Sequence, residues 1–331
     1  MPNQKITVGI LFGGKSAEHE VSLRSAKNVL DAIDKEKYNP VLIEIDKQGE
    51  SDLLAILDPK KPRTIDVVFP ILHGPFGEDG TVQGILKHVG MPFVGSSVLG
   101  SAMGMDKDVM KRLLRDAGIP IGKFLAVKDC DLLDLDAVIT QLGLPCFVKP
   151  ANLGSSVGVS KAKTKEELVA AVAEAFRYDR KIMIEEFIQG REIECAVLGN
   201  DAPEASMPGE IIVKADFYSY DAKYVNEQGA ALSIPAQLSE TVIKEVQELA
   251  VKTFKTLSCE GLGRVDFFLK ADGAVLVNEI NTMPGFTSIS MYPQLWQAGG
   301  MRYPDLIDRL ISLALERHEK ESKLITSVEP K

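Results

Sequence analysis

Residues Gly263–Asn281 read GRVDFFLKADGAVLVNEIN, two apolar runs joined by the dipeptide Asp272-Gly273. An Asp-Gly pair between two such runs predicts a β-hairpin with a two-residue turn. Counting outward from that turn gives the register of the two strands. The predicted cross-strand pairs are Ala271–Ala274, Phe267–Asn278, Asp266–Glu279 and Arg264–Asn281.

One face of this hairpin carries the polar residues Arg264, Asp266, Glu279 and Asn281, because alternate residues of a strand share a face. Two carboxylates about 5 Å apart repel each other unless a cation lies between them. Such oxygen donors suit Mg²⁺, which usually shares its coordination shell with substrate phosphates. Arg264 beside them suits a phosphate or a developing oxyanion. The alternative is an ordinary solvated face in which Arg264 pairs with Asp266.

A Gly/Ser-rich segment lies upstream, where residues 149–161 read KPANLGSSVGVSK. It matches neither the Walker phosphate loop nor the dinucleotide fingerprint. Residues Val157–Ser160 alternate like a strand, so the pattern predicts strand, Gly/Ser loop, strand. Lys149 follows the apolar run 144–148, where it either contacts a nucleotide or is a solvated lysine at a strand end.

The first hundred residues alternate between predicted strands and helices, which indicates a βαβ series with a parallel sheet. No G-x-G-x-x-G motif is present, so a nicotinamide cofactor is not supported. Two α+β regions follow, and the predicted domains are residues 1–104, 105–188 and 189–331. The predicted elements of the first region are Ile6–Phe12, Ser16–Ile33, Val41–Ile45, Val67–Leu72 and Thr81–Val89.

Further candidate residues lie in loops. Glu18 precedes a predicted helix, where an acid also interacts favourably with the helix dipole without any further role. His73 follows the carboxyl end of a strand, where open α/β sheets bind ligands. The polar segment 215–230, with Lys223 and Tyr224, is a candidate lid. Residues 281–293, NTMPGFTSISMYP, form a second Gly-containing loop whose backbone N–H groups suit a carboxylate or an oxyanion.

Composition restricts the class of protein. The formal net charge of −9 argues against broad electrostatic binding to nucleic acid. Four widely spaced cysteines form no C-x-x-C pair, which argues against a zinc site or a disulfide framework. No apolar run approaches membrane-spanning length, and the N-terminal run resembles a buried strand more than a signal peptide. We therefore expect a soluble cytoplasmic protein.

Seven motifs occur in order from about Lys5 to Glu316: FGGKSAEHEVSLRSA, HGPFGEDGTVQG, MDK, FVKPANLGSSVGVSK, DAKY, GLGRVDFFL and NEINTMPGFTSISMYP. Together they resemble the D-alanine–D-alanine ligases of the ATP-grasp superfamily. The resemblance implies an α/β protein with an N-terminal parallel-sheet domain and two α+β domains that sandwich ATP. It also implies that ATP phosphorylates one D-alanine and that the amine of a second displaces the phosphate, for peptidoglycan precursor synthesis.

The resemblance also assigns roles to individual positions. Two Mg²⁺ or Mn²⁺ ions would be held by Asp266, Glu279 and Asn281. The residues assigned to catalysis are Glu18, Ser155, Tyr224, Arg264, Gly285 and Ser290. Those assigned to the amino acid substrates are Glu18, His73, Arg264, Gly285, Ser290 and Met291. Those assigned to the nucleotide are Lys107, Lys149, Ser155, Ser156, Glu185, Glu186, Phe187, Ile188, Glu192, Lys223 and Asn278.

Alternatives concern the acceptor and the chemistry. Relatives that use D-lactate usually lack a tyrosine at the position of Tyr224, so its presence favours D-alanine over D-lactate or D-serine as acceptor. A non-catalytic nucleotide sensor is disfavoured because Asp266, Glu279 and Arg264 are all present. The expected partners are ATP and D-alanine, and the resemblance implies a homodimer without a membrane or nucleic-acid partner.

Overall fold

The computed structural model of the chain describes residues 5–213, 230–287 and 289–325. Across these ranges the strands form three sheets that follow one another along the chain. The first sheet uses strands before residue 72, the second uses residues 124–186, and the third uses residues 190–281. The domain boundaries themselves stay a prediction.

The N-terminal region is a parallel sheet with helices, as the alternating pattern predicts. Its elements are β1 (Ile6–Gly13), α1 (His19–Ala32), β2 (Tyr38–Ile45), α2 (Leu53–Ile56), β3 (Val67–Ile71), α3 (Thr81–His88) and α4 (Val98–Met105). The strand order is β2-β1-β3, and both pairs are parallel. The predicted helix start at Ser16 is wrong, because the Ser16 hydroxyl and carbonyl accept hydrogen bonds from the amides of Glu18 and His19 and form a separate turn.

The middle region is an antiparallel sheet flanked by helices. Its elements are α5 (Lys107–Asp116), β4 (Phe124–Lys128), α6 (Leu135–Leu142), β5 (Cys146–Pro150), β6 (Ser160–Ala162), α7 (Lys165–Ala175) and β7 (Lys181–Glu186). The strand order is β4-β7-β5-β6. β5 and β6 form the predicted hairpin, but Val157–Val159 are not part of a strand. Ser155, Ser156 and Gly158 have positive φ angles of 53°, 59° and 70°, which a strand does not tolerate.

The C-terminal region has a second antiparallel sheet covered by helices. Its elements are β8 (Gly190–Gly199), β9 (Glu204–Ala205), β10 (Gly209–Val213), β11 (Ala230–Ser233), α8 (Glu240–Thr256), β12 (Gly261–Lys270), β13 (Val275–Asn281), α9 (Met291–Ala298) and α10 (Tyr303–Ser322). The sheet order is β11-β10-β8-β12-β13, and β9 pairs with β8. The long strand β8 therefore lies directly beside the hairpin of β12 and β13.

The hairpin has the predicted pairing at its polar end but not at its turn. The Lys270 amide bonds to the Ala274 carbonyl, so the turn has three residues rather than two, with Gly273 at a φ of 89°. The predicted pair Phe267–Asn278 is also wrong, because Phe267 faces Val277 and a register shift follows. Asn278 is the extra residue of a β-bulge, which restores the predicted pairs Asp266–Glu279 and Arg264–Asn281.

The last helix ties the N-terminal sheet to the third sheet. One core cluster contains Val8 from β1, Ala196 from β8 and Leu306 from α10. The buried Arg317 of α10 donates to the carbonyls of Phe93 and Gly95, at 2.8 and 2.5 Å. These contacts make the N-terminal sheet and the third sheet share one core.

Candidate active site

The polar face of the β12–β13 hairpin is held together by Arg264. Its Nε and Nη2 atoms each donate to one oxygen of Asp266 at 2.7 Å. The Asn281 side-chain amide donates to Asp266 Oδ2 at 3.3 Å, and the Lys107 Nζ lies 3.4 Å from Glu279 Oε2. Burial alone would lower the pKa of Arg264, but Asp266 and Glu194 outweigh it and raise that pKa. The guanidinium is therefore a permanent cation.

A cavity of about 460 Å³ lies beside this hairpin and is lined by residues of both antiparallel sheets. It brings together most of the positions predicted for the nucleotide. Those that line it are Lys107, Lys149, Ser155, Ser156, Glu185, Glu186, Phe187, Ile188, Glu192 and Asn278. Of the three predicted metal residues, Glu279 lines the cavity, whereas Asp266 and Asn281 are not among its lining residues.

Aromatic rings form one wall of the cavity. Phe147 and Phe187 have ring centroids 6.2 Å apart, and the Lys161 Nζ lies 4.0 Å from the Phe187 centroid. A flat apolar wall suits the face of an adenine ring. The cationic Lys161 fixes the Phe187 ring from outside the cavity, since it is not a lining residue.

A buried charge cluster lies beside these rings, because Phe147 of β5 pairs directly with Glu185 of β7. Glu185 lies 2.7 Å from the Lys149 Nζ and 3.2 Å from the Lys111 Nζ. Burial acts to lower the pKa of Lys149, but Glu185 and Glu279 outweigh it and raise that pKa. For Lys111 burial prevails and the pKa falls. Burial acts to raise the pKa of Glu185, but the two lysines outweigh it and hold the pKa below its usual range. Glu185 thus fixes both ammonium groups.

The Gly/Ser loop closes over this cavity and reaches the N-terminal region. The Lys107 Nζ donates to the Leu153 carbonyl at 2.8 Å, and the Ser155 hydroxyl donates to the Glu18 carboxylate. Glu18 occupies the N-cap position of α1, yet its side chain makes no capping hydrogen bond to that helix. Its carboxylate is therefore directed to the loop and not to the helix amides.

His73 lies in the same N-terminal corner and is buried. Its Nδ1 lies 3.1 Å from the Met283 carbonyl and 3.6 Å from Glu78 Oε1. Burial acts to lower the pKa of His73, but Glu78 and Glu18 outweigh it and raise that pKa. The His73 Nε2 atom is buried and has no hydrogen-bond partner among the described residues. An unpaired buried nitrogen of this kind is available to a ligand group.

The second Gly-containing loop is fixed by the helices around it. The Phe286 amide donates to the Ser25 hydroxyl at 3.2 Å. Its carbonyl accepts from Asn28 at 3.3 Å and from the Tyr303 hydroxyl at 2.8 Å. These contacts hold the backbone that carries Gly285.

Gly285 and Ser290 are neighbours in this loop. A Cβ atom added at Gly285 would lie 2.9 Å from the Ser290 Oγ, so a side chain there would displace that hydroxyl. Ser290 Oγ also accepts from the Thr287 amide at 2.9 Å. Met291 is buried at the start of α9, so only its backbone is suited to a substrate contact.

Two predicted residues, Lys223 and Tyr224, lie outside the residues that the structure describes. The DAKY motif and most of the proposed lid segment fall in the same range. Their roles therefore stay predictions.

Two residues at the site are absent from the sequence-based predictions. Lys111 lies four residues after Lys107 on α5, and this spacing places both on one helix face. Glu194 lies two residues after Glu192 on β8, and the register sets it directly opposite Asp266. Glu192 and Glu194 are acids at alternate positions of a strand that is otherwise largely apolar, and this pattern could have identified Glu194.

The predicted metal ligands have suitable chemistry, because each offers an oxygen donor of the kind that Mg²⁺ prefers. Asp266 and Glu279 are directly opposite each other, with Asn281 next to Arg264 across the same strands. Over residues 5–213, 230–287 and 289–325, no group of three or more His, Cys, Asp or Glu side chains meets the geometry of a metal site. This face of the hairpin thus offers two carboxylates and one amide as oxygen donors.

The two antiparallel sheets and the lysine-lined cavity between them define the class of protein. The chain is an ATP-grasp enzyme. The family model described as "D-ala D-ala ligase C-terminus" matches residues 113–312, and "D-ala D-ala ligase N-terminus" matches residues 7–56 and 50–96. The chain belongs to the D-alanine–D-alanine ligase family. This confirms the resemblance of the seven motifs.

Individual relatives are similar over nearly the whole chain. A D-alanine–D-alanine ligase of Shouchella clausii is 51% identical over 98% of both chains. D-alanine–D-alanine ligase A of Escherichia coli K12 is 50% identical over 98% of this chain and 100% of its own. The solved ligase of Coxiella burnetii has a TM-score of 0.87 at 41% identity, covering 96% of each chain.

A solved D-Ala:D-Ser ligase, VanG of Enterococcus faecalis, is also similar. Its TM-score is 0.84 at 35% identity, covering 94% of this chain and 100% of its own. The shared fold therefore does not by itself distinguish the acceptor. No helix among the described residues is long and apolar enough to cross a membrane.

Proposed function

We propose that this protein joins two D-alanine molecules into D-alanyl-D-alanine and converts ATP to ADP and phosphate. The observation that carries the proposal is one cavity lined by Lys107, Lys149 and Glu279, with Asp266 directly opposite Glu279 in the hairpin. The names of the relatives that are about 50% identical supply the substrate. The product is a peptidoglycan precursor, so we place the enzyme in the cytoplasm. The homodimer is proposed from the resemblance to the family alone.

The first step is transfer of the γ-phosphoryl group. An oxygen of the first D-alanine carboxylate attacks the γ-phosphorus, the bond to the bridging oxygen breaks, and ADP leaves with that electron pair. Lys107, Lys149 and Lys223 compensate the phosphate charge, while the Gly/Ser loop covers the phosphates. Glu18 binds the ammonium of this D-alanine, with His73 beside it. Closure of the loop excludes water, which would hydrolyse the acylphosphate.

The second step forms the peptide bond. The amine of the second D-alanine attacks the acylphosphate carbonyl carbon, and the resulting oxyanion lies between Arg264 and the Gly285 amide. The carbonyl re-forms as phosphate leaves and the amine loses a proton. Ser290 and the Met291 backbone hold the carboxylate of the second D-alanine. Ser155, Glu18 and Tyr224 form the hydrogen-bonded set that closes the site.

The nucleotide and metal residues complete the assignment. Glu185, Glu186, Phe187 and Ile188 bind adenine, and Glu192 binds the ribose. Two Mg²⁺ or Mn²⁺ ions, held by Asp266, Glu279 and Asn281, would supply charge compensation at the phosphates. Ser156 and Asn278 line the same cavity and complete the nucleotide site.

The decisive experiment measures ADP release and product mass with ATP and D-alanine, and with D-serine or D-lactate added as competing acceptors. We expect ADP release and a dipeptide of two alanines, and no reaction with L-alanine. ADP release without a dipeptide would indicate a carboxylate kinase. A mixed product in preference to D-alanyl-D-alanine would reassign the acceptor, and bound ATP without ADP release would indicate a sensor.

The metal assignment has a test of its own in Glu279→Gln. Loss of this proposed metal ligand should lower kcat by about a thousandfold, because charge compensation by a metal contributes several kcal/mol to phosphoryl transfer. Turnover within a few-fold of wild type would contradict the assignment.

A further inference from the structure

Three carboxylates form a row across neighbouring strands. Glu194 on β8 is directly opposite Asp266 on β12, which is directly opposite Glu279 on β13. Adjacent strands lie about 4.8 Å apart, so Asp266 has one of the other two acidic residues on each side of it. Glu194 is only 6% exposed. A buried carboxylate costs stability unless a cation accompanies it, and none of the steps above uses this one.

The cation that accompanies it is Arg264, which two carboxylates share. Both oxygens of Asp266 accept from Arg264, at 2.7 Å each. The same Nε lies 2.9 Å from Glu194 Oε2. The guanidinium thus engages both carboxylate oxygens of Asp266, the residue proposed to bind a divalent cation. A divalent cation bound at Asp266 would compete with Arg264 for these two oxygens.

We propose that Glu194 is a positioning residue that receives Arg264 when Asp266 turns to the divalent cation. The inference rests on the proposed function, in which Asp266 is a metal ligand. Arg264 keeps a buried counter-ion throughout, which avoids the large cost of an uncompensated buried charge. The exchange also releases Nη2 from Asp266 and makes it available to the oxyanion of the peptide-forming step.

The test is Glu194→Gln, with Mn²⁺ as the probe in the presence of saturating ADP. Free Mn²⁺ is followed by electron paramagnetic resonance, so the readout does not depend on turnover. In the variant the Glu194 carboxylate is no longer there to receive Arg264. Arg264 therefore competes more strongly with Mn²⁺ for the Asp266 carboxylate. We expect Mn²⁺ affinity to fall about tenfold to a hundredfold, the usual effect of residues that orient metal ligands. Unchanged affinity would overturn the proposal.

A second variant separates partner exchange from a simple loss of negative charge. Glu194→Asp keeps the charge but withdraws the carboxylate from Arg264 by one methylene group. Exchange predicts weaker Mn²⁺ binding in this variant as well, whereas a purely electrostatic effect predicts wild-type affinity and would overturn the proposal. If Glu194→Gln does not fold, Glu194→Asp decides alone.

The matched control is Glu260→Gln, which removes a carboxylate from the same strand region. Glu260 pairs with Arg317 at 3.4 Å and does not line the cavity. We expect its Mn²⁺ affinity to equal that of wild type. Wild-type dipeptide synthesis is measured in parallel. Its absence would refute the proposed function, whereas normal synthesis with an unaffected Glu194→Gln variant would refute only the role of Glu194.

Discussion

Glu185 is shared by two buried lysines, and the electrostatics of the cavity wall depend on it. Lys149 and Lys111 approach its two oxygens from different elements, β5 and α5. Without the carboxylate, two ammonium groups would remain close together in a region where burial disfavours both. Breaking a buried ion pair from one side costs about 3–5 kcal/mol.

Glu185→Gln should therefore lower the free energy of unfolding by about that 3–5 kcal/mol and raise the KM for ATP. The pKa of Glu185 is held below its usual range in the folded chain. Its contribution is thus present above the unfolded carboxyl pKa and is lost as pH falls through the folded pKa. Thermal unfolding at pH 7 and at acid pH measures this. Glu174→Gln, at an exposed pair with Arg177, is the control and should change little.

His73 gives a pH dependence of the opposite sign. Its pKa is raised in the folded state, against the effect of burial, by Glu78 and Glu18. The stabilisation is fully present below the unfolded histidine pKa of about 6.5 and is lost as pH rises through the folded value. The unfolding midpoint of wild type should exceed that of His73→Gln more at pH 6 than at pH 9. A difference that grows with pH would contradict the raised pKa.

At this scale the sequence predicts residues whose partners are near in the chain. Arg264, Asp266 and Glu279 belong to one hairpin, and their register follows from local counting. Glu194 and Lys111 were not predicted. Glu194 meets Asp266 only because β8 lies beside β12, and the chain between them is about seventy residues long. Lys111 acquires its role only when β7 brings Glu185 to α5.

At the scale of elements, the register of the β12–β13 hairpin departs from the prediction at two places, and the two departures cancel. The three-residue turn shifts the pairing by one position relative to a two-residue turn. The bulge at Asn278 shifts it back before Asp266 is reached. The polar pairs are therefore as predicted, although the turn and the Phe267–Asn278 pair are not. Asp-Gly identifies a hairpin, but turn length and bulges depend on strand twist and neighbouring strands.

Gly273 and Gly84 form a matched pair for testing this turn. At neither position would an added Cβ have a neighbour within 4 Å, so packing does not enter. Gly273 has a φ of 89°, where a side chain costs about 1–2 kcal/mol. Gly84 lies inside α3, where alanine is better than glycine by about 0.5–1 kcal/mol. Gly273→Ala should lower the unfolding midpoint and Gly84→Ala should raise it. Shifts of the same sign would contradict the backbone argument.

At the scale of the whole molecule, α10 is the element that unites distant regions. Its apolar residues Leu306 and Leu310 share a core cluster with Ile10 of the first sheet and Ala196 of the third. Sequence periodicity predicts that such a helix is amphipathic, yet it does not identify which sheets it covers.

Arg317→Met tests the hydrogen bonds by which α10 is attached to the N-terminal region. The substitution keeps an apolar stem but removes the donor for the carbonyls of Phe93 and Gly95. Leaving buried carbonyls without a donor should cost about 2–4 kcal/mol in the free energy of unfolding. Thermal unfolding measures the loss, and the KM for ATP should stay near wild type because Arg317 does not line the cavity. An unchanged midpoint would show that water replaces the guanidinium.

The Phe286 backbone is held by Ser25 and Asn28, which come from the first helix of the chain. The loop proposed to bind the acceptor is therefore positioned by residues about 260 places earlier in the sequence. If this loop binds the acceptor as proposed, acceptor preference depends in part on residues of α1 that do not line the cavity. A lineage under selection for a new acceptor could change it through helix α1 without altering any residue that touches the amino acid. A laboratory selection for D-serine use should recover substitutions at Ser25 or Asn28 alongside those in the loop itself.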